Sequence, residues 1–125
     1  MNARTTALSA LIAMRRQNAW ADGALKEYTA RARLDRRDAA LCARLLYGVV
    51  QNRMLLDFYL AQAVASPLAK LQPVVLDILR LGAYQILFLD KIPVSAAVNE
   101  AVEQTKTYAN KRAAGLVNGS LRTLA

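Results

Sequence analysis

Between Pro73 and Leu89 the chain reads PVVLDILRLGAYQILFL, apolar on almost every side of a helix. Val74, Val75, Ile78, Leu79, Leu81, Ile86, Leu87 and Leu89 leave only a narrow polar stripe, which includes Asp77 and Arg80. A helix this apolar is stable only where other elements cover it, at the centre of a bundle. Its richest run, Leu81–Leu89, has about half the length that crosses a bilayer, so lipid is not the cover. The cover must come from the chain itself. Pro73 sits at the tolerated first helical position, and Gly82 lets a neighbour approach closely.

The remaining residues supply helices suited to that task. After an Asp90-Lys-Ile-Pro93 turn, Val94, Val98, Ala101, Val102 and Thr105 form an inward stripe. Glu100, Glu103 and Lys106 face outward, the last two as an i, i+3 pair. Tyr108–Arg112 is a polar, basic connector. Ala114, Val117, Leu121 and Leu124 keep a helical stripe through Asn118-Gly119, a pair that elsewhere signals a turn.

Upstream, residues 3–17 form a first helix on Ala7, Leu8, Leu11 and Ile12. Asp22-Gly23 suits a turn; alternatively Trp20 and Leu25 lie on a short second helix that runs to about Ala32. Asp35, with Asp38 three residues on, caps a third helix over Arg36 to about Asn52. A fourth, about Met54–Val64, gathers Leu56, Tyr59, Leu60 and Val64 on one face. Ser66-Pro67 ends it, and a subdomain seam is expected near Ser66. The prediction is one all-α domain over residues 1–125, a bundle of about seven helices in two subdomains. The length suits a single hydrophobic core, and 55% hydrophobic residues with few Gly and Pro argue against disorder.

Several chemistries are excluded or disfavoured. There is no His, so Cys/His zinc sites and His-based triads are absent. Cys42, the only cysteine, lies in an apolar helical context and forms no intrachain disulfide; a reducing, cytoplasmic setting suits it. No base is at hand to activate it. Asp35/Asp38 and Glu100/Glu103 already serve as caps and surface charges, and Asn99 and Glu100 read as helix-packing or capping residues. No glycine-rich phosphate loop is present. No catalytic residue, cofactor or metal is expected. The start of the chain has an apolar patch, but Arg15-Arg16 follow it and no small-residue cleavage site does, so no secretory leader and no membrane partner are expected.

What the composition does favour is a polyanion. Seventeen Lys and Arg, twelve of them Arg, face nine Asp and Glu, a formal charge of +8. The guanidinium fork suits phosphate and stacked bases. The cations cluster three times: Arg4 with Arg15 and Arg16; Arg31, Arg33, Arg36 and Arg37; and Lys111, Arg112 and Arg122. Their work would be phosphate contact, which positions RNA without reading its sequence. Tyr108, beside Lys111 and Arg112, is placed to stack on an unpaired base.

At Arg80–Leu121 the wording becomes specific. RLGAYQILFLDKIPVSAAVNEAVEQTK followed by KRAAGLVNGSLR resembles the NusB-like family, all-helical domains related to transcription antitermination factors. LDRRDAALCARLLYGVVQNRMLLDFYLAQ and PLAKLQPVVLDILRLGAYQILFLDKIP are more similar to a second branch, the N-terminal RNA-binding domains of the RsmB (Sun) small-subunit rRNA cytosine-C5 methyltransferases. NAR at Asn2–Arg4 and ALKE at Ala24–Glu27 extend that likeness over nearly the whole chain. The resemblance implies a NusB-like fold and an rRNA-docking domain for an S-adenosylmethionine-dependent enzyme. The S-adenosylmethionine loop and the catalytic Cys motif of that enzyme's methyltransferase domain are absent from this sequence, so the chain itself is not expected to methylate.

The resemblance also implies that Tyr108, Lys111, Arg112 and Leu116, near the start of the last helix, contact RNA together with Arg4. The other branch implies a transcription antitermination factor that binds boxA-like RNA with ribosomal protein S10. Against that branch, Asn2–Thr6 holds one arginine where the antitermination factors are arginine-rich. A third possibility is an interaction module that holds a catalytic domain, its charge incidental.

Overall fold

The computed structural model describes residues 2–125, and among them the chain is all-α. Seven helices occur: α1 Ala3–Gln17, α2 Ala21–Ala32, α3 Arg36–Gln51, α4 Arg53–Ala63, α5 Pro73–Phe88, α6 Val94–Tyr108 and α7 Ala114–Leu124. Short 3-10 turns at Leu68–Lys70 and Lys111–Ala113 precede α5 and α7. The chain divides into two compact units, Met1–Gln51 and Asn52–Ala125.

In the first unit α1, α2 and α3 each pack on the other two. Small residues permit close approach: Ala3, Ala7, Ala10 and Ala13 of α1 are buried with Leu8 and Leu11, as are Cys42, Leu45, Leu46 and Val49 of α3. The ends are chemically marked. Asn2 Oδ1 accepts from the Thr5 amide at 2.8 Å, and Asp35 Oδ1 accepts from the Asp38 amide at 2.8 Å, the cap expected from the sequence. Asn18 closes α1 in the left-handed region at φ 53, a conformation its side chain tolerates better than most. Of the two readings of Asp22-Gly23, the helical one holds, and the pair lies within α2. Asp22 suits a first turn electrostatically, and its carboxylate accepts a hydrogen bond from the Tyr47 hydroxyl of α3.

In the second unit α5 is the hub, touching α4, α6 and α7. Ile78, Leu79 and Leu81 are fully buried, each contributing about 1.5–3 kcal/mol. A methyl group on Gly82 would sit 2.6 Å from Leu121 Cδ1, so the glycine sets how closely α7 approaches α5. Asn118-Gly119 stays inside α7.

Four expectations are corrected. The seam expected near Ser66 lies at Gln51–Asn52, because α4 packs on α5 and α7. Asp77 and Arg80 are not on a solvent stripe but buried, at 5% and 7% exposure. Arg80 donates through Nε and Nη2 to the two carboxylate oxygens of Asp57 on α4, both at 2.8 Å, and its Nη1 lies 3.8 Å from Asp77. Tyr59 does not join Leu56 and Leu60 in the core; with Met54, Leu55 and Phe58 it forms an exposed apolar face of α4. Val94, expected to face inward, is also exposed.

Candidate nucleic-acid interface

The connector between α6 and α7 is a built feature, not a slack loop. Tyr108 is the last residue of α6. Two residues on, Asn110 holds both ends of the turn that follows. Its Oδ1 accepts from the Ala113 amide at 2.8 Å, and its Nδ2 donates to Gln72 Oε1, just ahead of α5, at 3.1 Å. Lys111 and Arg112 therefore project into solvent from a 3-10 turn that runs directly into α7. Tyr108 is exposed, and Leu116 is half-buried on the first turn of α7. Four of the residues singled out from the sequence are thus brought into one short stretch. Among the described residues neither Lys111 nor Arg112 enters an ion pair, so their charge is available to an anion.

Beside this connector a groove of about 580 Å³ runs between α6 and α7, lined by Asn99, Val102, Glu103, Lys106, Gly115 and Asn118 among others. Lys106 Nζ lies 3.7 Å from Glu103 Oε1, the surface pair expected from the spacing. Asn118 Oδ1 accepts from Arg122 Nε at 2.9 Å, so Arg122 is tied back along α7. A Cβ on Gly115 would meet nothing within 4 Å, and the groove stays open there. Asn99, expected as a packing or capping residue, lines this groove, which local pattern did not signal as such. Its trace in the sequence is the i, i+4, i+7 series 99, 103, 106 facing 115 and 118.

The other three expected residues, Arg4, Arg15 and Arg16, belong to the first unit and all lie on α1. Eleven residues separate Arg4 from Arg15, about 17 Å of helix rise, with the two on nearly the same side. Arg4 is half-buried in the first turn; Arg15 and Arg16 are exposed in the last turn, where a cation also suits the helix dipole. The second arginine cluster is partly engaged. Arg31 pairs with Glu27 at 2.7 Å and lies 5.2 Å from the centre of the Tyr28 ring. Arg33 ends α2 in the left-handed conformation, at φ 52. Arg36 and Arg37 open α3 in solvent. One residue the sequence reading placed on α2 stands apart from it: Trp20 precedes the helix and is 86% exposed.

Nucleophilic and metal chemistry find no foothold among the described residues. Cys42 is fully buried, and desolvation pushes its thiol up to about 11, so it carries no thiolate near neutrality. No group of three or more His, Cys, Asp or Glu is arranged to hold a metal ion. No helix is long and apolar enough to cross a membrane. What the surface offers is fixed cations, exposed rings and side-chain amides. These can hold phosphates and bases.

Comparison with known proteins agrees with this architecture. The model of the NusB family matches residues 1–125. A probable ribosomal RNA small subunit methyltransferase B of Bacillus subtilis is 38% identical over 121 residues, 97% of this chain and 27% of that protein. The chain thus spans about a quarter of the methyltransferases it matches, corresponds to their N-terminal part, and has the non-catalytic family fold. The transcription antitermination protein NusB of Bacillus licheniformis is 37% identical over 86 residues, 68% of this chain and 67% of that protein. A chain from the crystal structure of antitermination factors NusB and NusE in complex with dsRNA superposes with a TM-score of 0.88, covering 98% of this chain and 92% of that one at 22% identity. A family match along the whole sequence and an all-helical fold shared with a solved relative lead to one conclusion: the chain belongs to the NusB family.

Proposed function

We propose that this domain binds RNA without chemistry of its own and docks small-subunit rRNA for an S-adenosylmethionine-dependent cytosine-C5 methyltransferase. The observation that carries this reading is the 38% identity to the probable rRNA methyltransferase, which runs over 97% of the chain. The surface supports it: a charge of +8, with Lys111 and Arg112 fixed in solvent beside Tyr108 and Leu116, and Arg4, Arg15 and Arg16 along α1. The cations hold phosphates, Tyr108 stacks on an unpaired base, and Leu116 gives that base an apolar neighbour. The setting is cytoplasmic, and the partner beyond RNA is a methyltransferase domain.

The test is the salt dependence of binding to an rRNA hairpin. Each phosphate contact contributes about 0.7 to the log–log slope on single-stranded RNA, so five cations predict a slope of about −3.5. Replacing Lys111 and Arg112 together with Ala should flatten it by about 1.4. A flat response in the parent protein would overturn the proposal. A second reading, a stand-alone antitermination factor that binds boxA-like RNA with ribosomal protein S10, is supported by the similarity to the Bacillus licheniformis protein. Retention of S10 on the immobilised domain in the presence of boxA RNA would favour it over rRNA docking.

A further inference from the structure

Trp20 is the chain's only tryptophan, and the fold leaves it 86% exposed. Indole is among the side chains that gain most from burial, and here it is left nearly naked. Its position is fixed by the backbone on both sides. Asn18 turns the chain out of α1 in the left-handed conformation, and the Ala19 amide donates back to the Met14 carbonyl at 3.3 Å, folding the link onto the last turn of α1. The Trp20 carbonyl then accepts from the Ala24 amide at 3.0 Å as α2 begins. The indole is therefore held on a short, braced corner and not on a floating loop. The turn against which that corner folds carries Arg15 and Arg16, both exposed. The unit that holds all three has nine basic against four acidic residues, a net of +5.

We infer that Trp20 is a stacking platform for one unpaired nucleobase, with Arg15 and Arg16 holding the phosphates on either side of it. This rests on the RNA-binding reading above and adds a site to it. Every base has a π-face, so the platform is tolerant of sequence and selects single-stranded over paired RNA. An exposed indole close along the chain to two exposed arginines suits a nucleotide, which brings a flat ring and an anion together.

Because Trp20 is the only indole, its emission reports on this site alone. The intact chain is titrated with a short unstructured RNA carrying a fluorescent end label, and indole emission and label anisotropy are followed together. Stacking predicts that the indole is quenched along the same curve as the anisotropy rises, and that a blunt duplex of equal length quenches it far less. Trp20→Ala should weaken single-strand binding about five- to a hundredfold with the salt slope unchanged, and Trp20→Phe should recover part of the loss. Arg16→Ala should flatten the slope by about 0.7. Exposure of the side chain means these variants fold, which a helical circular dichroism spectrum checks. An anisotropy rise without quenching, and a Trp20→Ala variant with parental affinity, would overturn the stacking site alone and leave the indole to a protein contact. No anisotropy change in the parent chain would overturn the RNA-binding reading and this site with it.

Discussion

Cys42 shows what burial does to a single group. On α3 it has no exposed surface, and desolvation raises its thiol from an ordinary 9.0 to about 11. The unfolded chain loses this proton first as pH rises, so between about pH 9 and 11 the folded state binds the extra proton and stability falls. Below pH 9 the contribution is fully present; by pH 11 it is largely spent, a change on the order of 2–3 kcal/mol. Tyr47 is shifted the same way, mainly by its hydrogen bond to Asp22, so a comparison is needed to isolate the thiol. Urea unfolding of the parent and of Cys42→Ala should give a stability difference that is constant up to pH 9 and shifts in favour of the alanine variant above it. A difference that stays constant to pH 11 would mean that the thiol is solvated. The cysteine's burial was legible from its apolar helical context. Trp20's exposure was not, because it stands just ahead of the periodic set Leu25, Tyr28 and Ala32 and no local pattern says which way it faces.

At the scale of elements, the contact that joins α4 to α5 is polar. Arg80 is nearly buried and grips Asp57 through two 2.8 Å hydrogen bonds, with Asp77 one turn back on the same helix. Two carboxylates share one guanidinium, so its removal takes away the cation that both of them face. Arg80→Ala should cost about 3–5 kcal/mol, the range for breaking a buried ion pair by removing one partner. In a thermal melt that is about 10–20 °C for a chain of this size. Asp57→Asn, at a half-exposed position, should cost much less. A loss under about 1 kcal/mol for Arg80→Ala would mean that water screens the network. Local pattern could not have revealed it, since Asp57 lies 23 residues from Arg80 in sequence. The same limit moved the seam from Ser66 to Gln51–Asn52. Ser66-Pro67 marks where a helix stops, a local property, whereas α4 is assigned by what it packs against. The apolar face of α4 also misled. Leu56 and Leu60 are buried, but Met54, Leu55, Phe58 and Tyr59 make the helix apolar on two sides, and periodicity cannot say which side faces in. The features that were legible, such as the Asp35 cap, Pro73 at a helix start and the all-round apolarity of α5, depend on neighbours within one or two turns.

For the molecule as a whole, the charge is large and it is also fixed. The formal value of +8 comes from Arg and Lys against Asp and Glu, with no His anywhere. Histidine is the side chain whose ordinary charge change falls between about pH 5 and 8, and the sequence has none. RNA phosphates stay ionised throughout. Binding that rests on these cations should therefore be almost indifferent to pH and strongly dependent on salt. At constant ionic strength, affinity for a single-stranded RNA should vary by less than about twofold between roughly pH 5.5 and 8.5, since the chain has no histidine to switch charge there. At constant pH, raising salt about fourfold, from roughly 50 to 200 mM, should cost about a hundredfold if five cations each displace a counterion. The two titrations on one oligonucleotide separate the possibilities. A steep fall with pH would show that the fixed arginines and lysines are not what hold the RNA. A shallow salt response with a flat pH profile would move the affinity onto Trp20, Tyr108 and the amides of the α6–α7 groove, whose contacts carry no net charge.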